Sequence, residues 1–144
     1  MHNIIVDISG VLLRAEPQAS AGSCSPVPSA IELLHDLVDA GHRLYGVARM
    51  CADTFEHLEQ NYGFWPVFSG MVITGNGSAQ SQAGILESLL RKFQLEAEGC
   101  VCIDATLAHV SDAAMLGIDA ILFRNIDQCR RELAMALRRT PIVM

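Results

Sequence analysis

Ile4-Ile5-Val6-Asp7-Ile8-Ser9-Gly10-Val11-Leu12 is a short apolar run that meets a carboxylate and then a glycine. An unbroken run of this length, rather than an alternating one, is what a strand covered on both faces requires. Asp7 then falls where that strand ends, and Gly10 permits a tight turn or the close approach of a neighbour. A carboxylate in this place is open to a ligand yet partly shielded from water. It can attack phosphorus, hold a metal or merely cap the turn, and the segment by itself leaves these alternatives open.

Similar runs recur at Leu44 to Val47, Met71 to Thr74, Cys100 to Ile103 and Ala120 to Phe123, with helical patterns between them. Ser29-Ala30-Ile31-Glu32 has the form of a capping box, followed by the stripe Ile31, Leu34, Leu37, Val38 and a stop at Gly41. Asp53 to Tyr62, Ile85 to Phe93 and Ala108 to Leu116 carry apolar residues at helical spacing. A last helix starts from Asn125 and ends before Pro141. Strands alternating with helices predict right-handed crossovers, a parallel sheet covered on both faces and an α/β, three-layer Rossmann-like fold. Ligands in such folds sit beyond the carboxyl ends of the strands. The candidate site therefore gathers 7–10, 48–51, 75–82 and 104–109.

Bulk properties narrow the function. The chain has 144 residues, enough for one domain spanning 1–144, and a net charge of -6 spread along its length, so no basic footprint for nucleic acid is expected. No apolar run approaches the ~20 residues of a membrane span, and Asp7 comes too early for a secretory leader. Five cysteines without a CxxC pair suggest neither a disulfide framework nor a zinc cluster, and a cytoplasmic protein with free thiols is expected. Only one basic residue is a lysine, Lys92. The segment 13–28, rich in proline and serine, reads as a loop.

The strand ending in Asp7-Ile8-Ser9-Gly10-Val11-Leu12 resembles the first motif of the haloacid dehalogenase (HAD) superfamily, DxDG after an apolar strand. The resemblance extends over nearly the whole chain. Ala52 to Leu58, Tyr62-Gly63-Phe64 and Val67 to Val72 are similar to the family's segment between its second and third motifs. Ile85 to Leu90, Val101 to Asp104 and Ala113 to Ile118 are similar to its second half. The resemblance implies a five-stranded sheet of order 5-4-1-2-3, with Asp7 and Asp104 facing each other across neighbouring strand ends. It also implies that no substantial cap covers them, because 13–28 is too short for one.

Position by position, the family pattern is eroded. The resemblance makes Asp7 the nucleophile, but Ser9 stands where the general acid and base belongs, and a hydroxyl does not shuttle protons near neutrality as a carboxylate does. Ala48 replaces the Ser or Thr that donates to the transferring group. Gln80 replaces the charge-neutralising lysine, for which Arg14 or Arg49 are the remaining candidates. Arg49 is read first as a surface arginine and second as an anion contact. Asp104-Ala105 retains half of the acid pair that holds magnesium, leaving Asp7, the Ser9 backbone carbonyl and Asp104 for weak Mg2+ binding. The loop Gly75-Asn76-Gly77-Ser78 lacks the lysine of a P-loop and reads as a connection.

The expected function is a HAD-like domain with little or no phosphatase activity, serving as a binding or regulatory module for a small phosphorylated ligand or a protein partner. A homodimer is compatible with this reading. The alternative is an active Mg-dependent phosphatase or hydrolase using Asp7. A receiver-like phosphoacceptor fits less well, since its acceptor Asp would follow the third strand and its lysine would come late.

Overall fold

The computed structural model describes residues 2–15, 24–75 and 81–138. Five parallel strands form the sheet: β1 (Asn3–Asp7), β4 (Arg43–Ala48), β5 (Phe68–Ile73), β6 (Cys100–Asp104) and β7 (Asp119–Leu122). Their spatial order is β5-β4-β1-β6-β7. Counted without the two strands of a separate ribbon, this is the expected order read from the opposite edge. The central strand β1 is flanked on both sides, which explains why its sequence is continuously apolar rather than alternating.

The side chains of β1 divide between two cores. Ile4 and Val6 pack with Leu44, Val101 and Ile103 under α1 (Pro28–Asp39), α2 (Ala52–Asn61) and α5 (Ile126–Arg138). Ile5 packs with Tyr45, Val47, Cys100 and Cys102 under α3 (Gln82–Lys92) and α4 (Leu107–Met115). The result is helix, sheet, helix, the layering that the strand and helix alternation demanded.

Two local readings are corrected. The segment 13–28 is not simply a loop: β2 (Leu13–Ala15) pairs antiparallel with β3 (Cys24–Pro26), and Val27 N–H donates to the Leu12 carbonyl at 2.8 Å. Strands of three residues are too short for periodicity to reveal, and Pro26 is tolerated because it lies at the ribbon's edge. Ser29 does not cap α1, whose N-cap is Val27 without a side-chain hydrogen bond. Pro28 occupies the first turn, where its fixed φ and missing N–H cost nothing, so the helix starts ahead of Ser29. As the sequence implied, β1 stops at Asp7, and Ile8–Leu12 then forms a single π-type turn.

Other boundaries follow their sequence signals. Gly41 has φ +92°, as the αL stop after α1 requires. Ser81 caps α3 by accepting from Gly84 N–H at 3.1 Å, and Asn125 caps α5 by accepting from Gln128 N–H at 2.8 Å.

Candidate functional site

Alternation along the strands brings three side chains to one edge. Ile5, Tyr45, Val47 and Cys102 all face the α3/α4 core. Two residues on from Ile5 and Cys102 come Asp7 and Asp104, and two on from Val47 comes Arg49, just past the end of β4. Because successive side chains in a strand change face, the three continue the same face at the carboxyl ends of adjacent strands.

Asp7 is buried, with 6% of its surface exposed, and Asp104 is more so. Burial first, and the charge of Asp104 second, push the Asp7 carboxyl up from 3.8 to about 7, against the pull of Arg49. The Oδ1 atom of Asp7 is buried without a hydrogen-bond partner. Its Oδ2 lies against Gly10, where a Cβ would stand only 2.6 Å from that oxygen and 3.0 Å from Ala105 Cβ. Glycine is thus the residue that lets the turn close over the carboxylate.

Asp104 is held from two sides. Its Oδ1 accepts from Thr106 N–H at 2.9 Å, and its Oδ2 lies 3.1 Å from His109 Nδ1. His109 closes the segment 104–109 that the sequence reading gathered at the site, where it had been given no role. It sits in the first turn of α4, and a histidine one helical turn beyond a strand-end aspartate is the signal that marks it.

Arg49 is not the surface arginine first expected. It is half-buried, and its Nε and Nη2 atoms are buried without partners. An arginine is drawn inward here because two carboxylates lie at the same edge, and its free donors are suited to an anion. Ala48 is fully buried and offers no side-chain donor, whereas Ser9 is exposed. Gln80 lies outside the described residues, as do Asn76, Gly77 and Ser78. Among the described residues, no three His, Cys, Asp or Glu side chains gather as metal ligands.

No protein-family model matches the chain. Among solved structures, a hydrolase from Streptococcus pneumoniae superposes with a TM-score of 0.72 at 16% identity, over 92% of this chain and 98% of that one. A HAD family enzyme from Bacteroides thetaiotaomicron, in complex with magnesium and inorganic phosphate, superposes with a TM-score of 0.71 at 12% identity, over 86% of this chain and 94% of the other. The fold is HAD-like. Among curated proteins, drimenol cyclase drtB of Aspergillus calidoustus is 24% identical over 104 residues, which are 72% of this chain and 20% of that protein. The match thus spans about a fifth of the relative's length.

In this HAD-like fold, Asp7 and Asp104 occupy adjacent strand ends, as the resemblance implied. The cysteines also agree where described: Cys51, Cys100, Cys102 and Cys129 are free thiols. No described helix is long and apolar enough to cross a membrane.

Proposed function

We propose that the chain is a member of the HAD superfamily that binds a small phosphorylated ligand at the Asp7 edge and turns it over slowly or not at all, in a binding or regulatory role. The observation that carries this reading is the meeting of unpartnered groups: Oδ1 of Asp7, and Nε and Nη2 of Arg49. Buried polar atoms without partners are uncommon and costly, and a phosphoryl group supplies acceptors for the guanidinium. Near neutrality Asp7 is partly protonated, so it donates a hydrogen bond to a phosphoryl oxygen where an ionised carboxylate would repel it.

The missing helper groups work against catalysis. Ser9 supplies no acid for the leaving group, and Ala48 supplies no donor to the transferring group. Positioned acid-base catalysis contributes about 10²–10⁴ in rate and one preorganised donor about 10²–10³. Such losses do not multiply freely, yet they leave little turnover.

Magnesium fits this donor set only in part. Asp7, Asp104 and the Ser9 carbonyl are oxygen ligands of the right kind, and the charge of Asp104, which after burial is the second cause of the raised Asp7 pKa, invites a cation. Against this, both Asp104 oxygens already have partners and Ala105 adds no acid. A bound Mg2+ would be held by those three groups and would supply charge neutralisation.

The alternative of an active hydrolase is favoured by one feature, the His109 imidazole held 3.1 Å from Asp104 Oδ2. Two measurements separate the readings. Hydrolysis of p-nitrophenyl phosphate with Mg2+ is expected near background and unchanged by Asp7→Asn, while binding of inorganic phosphate is expected to weaken in Arg49→Gln. Magnesium-dependent turnover abolished by Asp7→Asn moves the assignment to the hydrolase. The triple change Ser9→Asp, Gln80→Lys, Ala105→Asp should raise metal affinity from the other direction.

A further inference from the structure

A cavity of about 340 Å3 opens at the same end of the sheet, between the ribbon base and the turn from β7 into α5. Gly10 forms part of its wall, and Gly10 also lies against Asp7 Oδ2, so cavity and carboxylate share one residue. Its volume is at the lower end of the range for small-molecule sites. A larger cavity of about 530 Å3 is lined by His2, Glu98 and Asp119 at the opposite end of the strands, away from the carboxylates.

The smaller cavity is cationic in an otherwise acidic chain. Arg14 and Arg124 line it, no Asp, Glu or His does, and neither arginine makes an ion pair among the described residues. The backbone N–H groups of Arg124 and Asn125 are already taken by Gln128 Oε1, so the guanidinium groups are the charged donors it offers an anion. Most of the remaining wall is apolar, from Leu13, Phe123 and Ile126 among others, with Ser29 and Asn125 as its other polar side chains. Positive groups in a partly apolar wall suit a ligand with a carbon body and an acidic group at its end.

We infer that this cleft is a second anion subsite, which takes the distal acidic group of an organic phosphate whose phosphoryl end lies against Asp7 and Arg49. This deepens the binding role proposed above and rests on it. The ligand class is a small bis-anionic phosphate with a short carbon chain or ring between its charges.

Calorimetric titration with α,ω-alkanediol bisphosphates of graded length, set against butyl phosphate, tests it. One length should bind about tenfold tighter than butyl phosphate, as an added charge-assisted contact at an exposed site implies. Arg14→Gln and Arg124→Gln, both at exposed positions and checked for folding by circular dichroism, should remove that advantage and leave butyl phosphate unaffected. If no length outperforms butyl phosphate, or if both substitutions weaken the two ligands equally, the cleft is not a subsite. Arg49→Gln should weaken both ligands. If it is silent while the bisphosphate advantage still depends on Arg14 and Arg124, the cleft stands and the phosphoryl site at Asp7 falls.

Discussion

Replacing Asp7 by asparagine should stabilise the protein, and by an amount that grows with pH. Folding raises the Asp7 carboxyl from 3.8 to about 7, mainly through burial and then through Asp104. A carboxyl that binds its proton more tightly when folded lends stability fully below the unfolded value, and loses it as pH climbs through the folded one. Between about pH 4 and 7 the folded state therefore loses about 1.4 kcal/mol per pH unit, for at most about 4 kcal/mol above pH 7. Asparagine keeps the shape without the charge, although it gives up the attraction of Arg49, so the gain at pH 8 should be about 1–4 kcal/mol. Urea unfolding of both proteins at pH 5 and pH 8, in EDTA, measures it. The advantage of Asp7→Asn should be about 2–3 kcal/mol larger at pH 8 than at pH 5. An equal gap at both values, or an asparagine variant less stable at pH 8, would refute the view of Asp7 as a buried carboxyl whose charge is poorly compensated.

Other outcomes follow from single contacts. Gly10→Ala should lower stability by about 1–3 kcal/mol, read as a fall in Tm, because the new Cβ would stand 2.6 Å from Asp7 Oδ2 and something must shift. In a Cys24→Ser background, Cys51 should react first with a thiol reagent at pH 7.5, since hydrogen bonds from the Thr54 side chain and backbone hold its pKa down. Cys100 and Cys129, pushed by burial up to about 11 and about 12, and Cys102, also raised by burial, should react only after unfolding. A fast phase that survives Cys51→Ser would contradict this.

The central sheet was legible because its inner strands β1, β4 and β6 are buried on both faces, and continuous apolar runs such as Ile4 to Val6 and Val101 to Ile103 leave few other readings. The two aspartates were legible for the same reason, as charged residues placed where such runs end. The ribbon was not, because Leu13–Ala15 and Cys24–Pro26 are stabilised by one another rather than by any pattern of their own. Nor was the inward turn of Arg49. Nothing in Ala48-Arg49-Met50 says where the guanidinium points until β1 and β6 bring two carboxylates to the same edge. His109 lay between these cases, near a marked residue in sequence but tied to it only through the geometry of the first turn of α4.

The insulation of β1 between two helical layers has a further consequence for how the molecule breathes. Amides of Val6, Val47 and Ile103 lie in paired central strands, so their protons should exchange with solvent only when the whole domain opens. Ser9 and Ala105, by contrast, are exposed beside the carboxylates and support none of that slow-exchanging framework. Chemistry at these two exposed positions is thereby separable from the persistence of the domain: Ser9 and Ala105 can be exchanged, by evolution or by an experimenter, while the scaffold keeps its lifetime, whereas changes at the buried Asp7 or at Gly10 reach into it.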